Sequence, residues 1–291
     1  MGFTPNIEMR PFAVKNVLVV GADPQVKTVL SQVLEPGSWA LLSVPDNLAA
    51  LVAARGKSFD LIVTSDKTSG REDIELLRKI RSVRSHVRLI ILAGESTPSD
   101  VITSMRERAF SYLSKPFSLG TLSEMVRLAT EGPCWDDGIE IVSGTPELIR
   151  IRARCDVKTA DRLVQFLNEI AELPDPEKSQ VATAFREMLL NAIEHGGRLD
   201  PNQYVEIEYV RARHMVTCHI IDPGPGFTLD EIPHAAIANP SDDPIRHFAV
   251  REEQGMRPGG FGVLLAQQLV DELIYGQDGN EVLLIKYLEI A

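Results

Sequence analysis

The chain has 291 residues, 44% of them apolar, with 30 Lys and Arg against 41 Asp and Glu for a net charge of −11. That length is enough for two domains, each with its own core. The acidity is uneven: residues 1–131 carry 16 basic and 14 acidic side chains, leaving 14 basic and 27 acidic beyond them, which excludes a general nucleic-acid-binding surface in the carboxyl half.

No apolar run approaches the roughly 18 residues of a membrane span, and Met1–Phe12 lacks the apolar core of a signal peptide. Cys134, Cys155 and Cys218 are few, odd in number and not at metal-ligand spacing. They read as ordinary thiols of a reducing compartment, so a cytoplasmic location with no membrane partner is expected.

Over the first half, apolar runs at 17–20, 39–42, 61–63, 89–92 and 112–113 alternate with amphipathic segments at 24–34, 46–55, 72–84, 99–108 and 118–130. Regular alternation at this spacing predicts parallel βαβ units and a doubly wound five-stranded α/β sheet. Asp23 before Pro24 is the expected N-cap and first residue of the first helix.

Three stretches then stand out: Asp60-Leu61-Ile62-Val63-Thr64, the helix Glu75–Arg81, and Tyr112-Leu113-Ser114-Lys115-Pro116-Phe117. With the strand placement, they make residues 14–130 resemble the flavodoxin-like receiver domain of response regulators. The resemblance implies a phosphate-sensing lysine at Lys115 and a switch aromatic at Tyr112. It also exposes losses. Gly21 and Ala22 stand where the family holds magnesium with two acids, Ser65 where it has the phosphoacceptor aspartate, and Ala93 where it has a hydroxyl residue. Glycine and alanine offer no side-chain oxygen to a hard cation. Asp66 is displaced by one residue, which turns a strand side chain to the opposite face. A pseudo-receiver used for dimerisation or partner docking is therefore expected, and Lys115-Pro116 reads equally well as a strand end before a helix-starting proline.

Residues 131–146 contain Gly132, Pro133, Gly138, Gly144 and Pro146 and read as a linker, too short and irregular for a coiled-coil stem. In the second domain, 147–291, strands are expected at 148–153, 204–210, 215–221 and 281–288, and helices at 158–172, 177–195 and 262–273. The long polar segment 228–259 is a candidate lid. The pattern predicts an α/β sandwich with its helices on one face of the sheet.

This half carries three motifs in order. In Glu187-Met188-Leu189-Leu190-Asn191-Ala192-Ile193-Glu194-His195-Gly196, helical spacing puts Glu187, Asn191 and His195 on one face. Asp222-Pro223-Gly224-Pro225-Gly226 places an acid where a strand meets a tight loop, and Gly260-Phe261-Gly262 opens a helix. Singly they read as a solvated helix face, a turn and a weak Gly-x-Gly, with His195 a helix-end residue rather than a catalyst. Together they make 147–291 resemble the GHKL ATPases of the Bergerat fold, and within them the anti-sigma-factor serine kinases. The resemblance implies ATP and Mg2+, with Glu187 as general base, Asn191 as the side-chain oxygen on the metal and Asp222 accepting the adenine amino group. Gly224 and Gly226 would shape the adenine pocket, and Gly260 and Gly262 would lie beside the phosphates. The related kinases carry an arginine two residues before the second glycine box. Here Pro258 holds that position, Arg257 is one step earlier, and Arg246 and Arg251 in the lid have no assignment.

The expected function is a bacterial signalling regulator that phosphorylates a serine or threonine of a STAS-domain anti-anti-sigma factor, with a sigma factor as the other partner. No histidine lies between Lys115 and Glu187, which excludes an ordinary histidine kinase with a phosphoacceptor in cis. The alternative is a non-catalytic ATP-binding interaction module.

Overall fold

The computed structural model describes residues 14–21, 23–65, 68–84, 86–131, 138–227, 235–240, 242–253, 255 and 260–288. Contacts divide the chain into two compact units, 1–95 with 113–136, and 96–112 with 137–291.

The first sheet has the order β2-β1-β3-β4-β5, formed by β1 (Lys15–Val20), β2 (Trp39–Val44), β3 (Leu61–Val63), β4 (Arg88–Ala93) and β5 (Ser111–Ser114). Pairing of β1 with β2 and β3, and of β3 with β4, is parallel. Central strands are apolar without alternation because helices cover both faces, and Val17–Val20 and Leu61–Val63 are fully buried. The helices are α1 (Pro24–Val33), α2 (Asn47–Gly56), α3 (Gly70–Arg81), α4 (Pro98–Arg106) and α5 (Leu119–Thr130). Local sequence starts each one. Asp23 accepts from the Gln25 amide at 2.8 Å as anticipated, Ser69 and Glu72 close a capping box on α3, and Thr97 and Asp100 close another on α4.

In such sheets ligands bind beyond the strand ends where the order reverses, here between β1 and β3. Gly21 and Ser65 stand there, in close contact. Gly21 has φ +75°, and a Cβ on it would overlap the buried Ser65 hydroxyl. Of the described residues at these strand ends (Gly21, Thr64, Ser65 and Ala93), none carries a carboxylate; Ala22 and Asp66 lie outside the described residues.

The nearest buried acid serves the scaffold. Asp73, in the first turn of α3, accepts from Asn47 Nδ2 at 2.8 Å and Thr68 Oγ1 at 3.0 Å, tying α2 to the loop after β3. Burial pushes its carboxyl up to about 6, against the hydrogen bonds from Asn47, Thr64 and Thr68 that lower it.

The second unit carries a six-stranded sheet of order β10-β11-β9-β8-β7-β6, antiparallel throughout. Its strands are β6 (Ile139–Gly144), β7 (Leu148–Arg154), β8 (Tyr204–Arg211), β9 (Met215–Ile221), β10 (Glu272–Tyr275) and β11 (Glu281–Tyr287). Helices α6 (Val157–Ile170), α7 (Asp175–Asn191) and α9 (Gly262–Leu269) cover one face. Alternation is accordingly strict. Ile149, Ile151, Val205, Ile207, Cys218 and Ile220 point inward, while the other face carries charged pairs such as Arg150–Glu208 at 2.6 Å.

Four expectations change. The supposed linker contains β6, whose Ile139 and Ile141 pair with Ala153 and Ile151; the glycines that suggested a boundary merely bracket the strand. The last helix stops at Leu269 rather than 273, because Val270 turns extended and residues 272–275 pair with β11. The candidate lid holds a helix, α8 (Arg246–Glu253), and residues 228–234, 241, 254 and 256–259 of it lie outside the described residues. Finally, α7 does not run regularly to His195: it ends at Asn191 and a π turn spans Ala192–Gly196.

Two predictions follow from the first unit. Acetyl phosphate or beryllofluoride should leave the mass and fluorescence of the protein unchanged, and a stoichiometric, hydroxylamine-sensitive adduct would contradict the pseudo-receiver reading. A raised carboxyl pKa makes the folded state hold its proton more tightly than the unfolded chain. Its contribution to stability is therefore greatest below pH 3.8 and is lost as pH rises towards about 6. Relative to the native protein, Asp73→Asn should gain about 2 kcal/mol in denaturant unfolding between pH 4 and pH 7; a difference independent of pH contradicts this.

Candidate functional site

The second unit contains a cavity of about 720 Å³, bounded by α7, the start of α9 and the ends of β9 and β11. That volume suits a ligand of nucleotide size. Glu187, Asn191, Asp222, Gly226, Gly260 and Gly262 all line it, so the three sequence motifs converge on one space.

Glu187 and Asn191 are one turn apart on α7 and face the cavity together. Beyond Asn191 the helix widens, and the Gly197 amide reaches back five residues to the Ala192 carbonyl at 2.8 Å. This π turn inserts a residue, so His195 leaves the regular i, i+8 line although it still borders the cavity. It also brings Gly196 against Asp222, where a Cβ would overlap the carboxylate.

Asp222 follows β9, its amide donating to the Asn280 carbonyl at 2.9 Å. Its Oδ1 accepts from the Gly224 amide at 2.7 Å. A Cβ on Gly224 would sit 2.8 Å from that oxygen and 2.9 Å from Gly196 Cα. Two glycines therefore clasp the carboxylate, and Gly224 acts from behind it rather than lining the cavity. Burial raises the Asp222 pKa, and the Gly224 amide opposes the rise.

Gly226 lines the cavity and also makes a close backbone contact. With φ +80°, it leaves room for the Asp278 carbonyl, so the loop after β9 crosses the β10–β11 turn. At the other end, Gly260 has φ +96° and its carbonyl accepts from Ala236 at 2.8 Å. Gly262 is the first residue of α9, and a Cβ there would come within 2.8 Å of Glu187 Oε2. No side chain caps α9, and Gly262 and Val263 of its first turn line the cavity; the first amides of a helix have no partner within it, an arrangement that favours phosphate oxygens.

The walls are apolar where a base would lie. Tyr275 donates to Met188 Sδ at 3.4 Å and meets Phe227 edge-on at 5.4 Å; burial pushes its phenol up to about 12. Sequence reasoning missed Tyr275 because the expected helix, 262–273, covers only the first half of β10 and leaves 274–275 unassigned. No sequence signal marked the π turn or the approach of Gly196 to Asp222. Arg251, unassigned before, lines the cavity. Arg257, Pro258 and Cys134 lie outside the described residues. Cys155 and Cys218 are buried and pushed up to about 11 and about 12, which fits inert thiols.

Among the described residues no cluster of three His, Cys, Asp or Glu could hold a metal by itself. The donor set fits magnesium only as that ion commonly binds, through one or two protein oxygens (here Asn191) together with the phosphates of a nucleotide.

The family model for the histidine kinase-like ATPase domain matches residues 152–286, and that for the response regulator receiver domain matches 17–127. Among curated proteins, the chain is 31% identical over 114 residues to the KDP operon transcriptional regulatory protein KdpE of Escherichia coli K12, covering 39% of this chain and 50% of that protein. It is 29% identical over 128 residues to the C4-dicarboxylate transport transcriptional regulatory protein DctD of Pseudomonas aeruginosa, covering 42% and 28%. The chain thus spans half or less of these relatives' lengths. A response regulator structure from Thermotoga maritima shares 23% identity at a TM-score of 0.35, over 40% of this chain and 98% of that one.

Gly196→Ala should weaken binding of both ATP and adenosine at least about tenfold, roughly 1.4 kcal/mol, in calorimetry, because the displaced group is at the base end of the cavity. Unchanged affinity would separate Asp222 from nucleotide binding. Residues 17–127 thus match a response regulator receiver domain and residues 152–286 a histidine kinase-like ATPase domain, and the cavity is lined by residues of the second match.

Proposed function

We propose that this chain is a bacterial signalling regulator that binds ATP with Mg2+ and transfers the γ-phosphate to a serine or threonine of a partner protein. The partner class we assign is a STAS-domain anti-anti-sigma factor, with a sigma factor bound in the alternative state of the switch. The receiver-like half serves dimerisation or docking. No described helix is long and apolar enough to cross a membrane, and we place the activity in the cytoplasm.

The observation that carries the reading is the meeting of Glu187 with the uncapped start of α9 across Gly262. A proton acceptor and a phosphate-binding helix terminus stand side by side, with Asn191 one turn further along. Asp222 accepts a hydrogen bond from an adenine amine, a demand that a guanine carbonyl cannot meet. The partner's hydroxyl loses its proton to Glu187 as its oxygen bonds to the γ-phosphorus. The bond from that phosphorus to the β,γ-bridging oxygen breaks, and ADP leaves. Bound magnesium would neutralise charge on the phosphates; the rest of catalysis is positioning. Asp161 accepts from Arg186 Nε at 3.1 Å, and Arg186 Nη1 stands 3.8 Å from Glu187 Oε1, restraining the base from its outer side.

Glu187→Gln should reduce phosphate transfer to a purified STAS partner by about 100-fold or more, the usual worth of a general base. The ATP dissociation constant should stay within about threefold. Undiminished transfer would remove Glu187 from the base role. Tight ATP binding by the native protein with no transfer to any STAS partner would favour the non-catalytic module instead.

A further inference from the structure

We propose that this chain forms a twofold dimer through β2, whose open edge pairs antiparallel with β2 of a second copy and joins the two receiver-like sheets into one. The proposal rests on the dimerisation role given above to the receiver-like half and assigns it a surface.

An unpaired sheet edge is a template for another strand, and proteins guard such edges with charge, bulges, shortness or cover. The edges of the two sheets differ in this respect. β6 carries Glu140 and a register shift between Ile141 and Ser143. β10 has four residues and begins with Glu272. Ser111, Tyr112 and Leu113 of β5 are buried. β2 has none of these guards. It runs for six residues, Trp39-Ala40-Leu41-Leu42-Ser43-Val44, without a charge, and among the described residues its ladder is with β1 alone. Leu41 is 45% exposed and Leu42 40%, and as neighbours on a strand they face opposite sides of the sheet. A further strand with its own helices would cover both. From Trp39 to Ala54 the only charged residue is Asp46, and α2 leaves Leu48 and Val52, one turn apart, exposed as well.

The ladder shows which backbone groups are open. The Lys15 amide donates to the Ser38 carbonyl at 3.0 Å and the Gly21 amide to the Val44 carbonyl at 2.8 Å. Even-numbered residues of β2 therefore turn their N–H and C=O to β1, and odd-numbered residues turn theirs away. Trp39 takes part in a local bridge with Pro36, and Pro45 has no N–H to offer. Leu41 and Ser43 remain, each with one donor and one acceptor facing outward. A second β2, related by a twofold axis perpendicular to the sheet, matches this pattern. With the axis beside Leu42, Leu41 of each copy exchanges both bonds with Ser43 of the other, so every one of these groups is paired. The two Leu42 side chains meet across the axis as a non-hydrogen-bonded pair, the closer kind. Charge permits the meeting. Residues 1–131 carry 16 basic and 14 acidic side chains, whereas the remainder carries 14 and 27, so two copies approach through the half that is not strongly anionic.

The test is sedimentation velocity of the full chain from about 1 to about 300 µM, the range in which a small interface associates. The native protein should pass from monomer to dimer. Leu42→Lys sets like charges opposite each other, and Ser43→Pro removes an outward N–H without touching the ladder to β1. Each should weaken dimerisation at least about tenfold, with circular dichroism matching the native protein. Leu42→Cys should crosslink two copies under mild oxidation, because these α-carbons lie about 4.5 Å apart across the axis. Leu41→Cys and the native chain should not crosslink under the same oxidant, and this comparison decides the matter if either of the first two variants fails to fold. A monomer at every concentration overturns the proposal. So does a dimer that is undiminished in Leu42→Lys and Ser43→Pro, or that crosslinks no faster in Leu42→Cys than in Leu41→Cys; dimerisation would then stand with its surface elsewhere. Dimerisation that appears only after removal of residues 1–13 would put the chain's own amino terminus on this edge and likewise overturn it.

Discussion

The carboxylate of Asp222 is flanked by two α-carbons that carry no Cβ, those of Gly196 and Gly224, and a Cβ on either would crowd it. This contact joins the end of α7 to the end of β9, and the other parts of the cavity are positioned from it. The π turn exists in the geometry that lets Gly196 arrive there, and the same helix carries Glu187 and Asn191 towards the start of α9. Close packing of this kind is intolerant of a single methyl group. The site is thus specified by what is missing from three glycines as much as by what its acids and amide supply.

Electrostatics reinforces the division of labour. Beyond residue 131 the chain carries 27 acidic against 14 basic residues, so a broad positive field does not gather an anionic ligand. Attraction has to be local. The uncapped start of α9 and the open backbone at Gly260 border the cavity and can provide it. Asp222, partly desolvated by burial, adds an acceptor for a donor that fits, with the aromatic rings of Phe227 and Tyr275 also in the wall.

In the receiver-like sheet the same physics has run the other way. The crevice at β1 and β3 has the right topology for a ligand, and there Gly21 packs closely onto Ser65. Asp73 shows where a carboxylate survives in this half: inside the scaffold, bonded to Asn47 and Thr68. Retaining the fold does not by itself restore oxygen ligands, and the described strand-end residues Gly21, Thr64, Ser65 and Ala93 supply no carboxylate.

Much of this was legible in the residues themselves. Apolar runs alternating with amphipathic segments announced a doubly wound sheet, and Asp23 marked a helix start through a bond to the amide two residues on. The order of the Glu187, Asp222 and Gly260 motifs announced a shared ligand. Those features depend on interactions local in the chain or on a pattern of period 2 or 3.6. Tertiary structure alone decided the rest. The π turn, the pairing of residues 272–275 with β11 and the crossing of Gly226 over Asp278 each depend on a neighbour distant in the chain or on close packing. No local propensity encodes such a contact, because its energy exists only once both partners have been brought together.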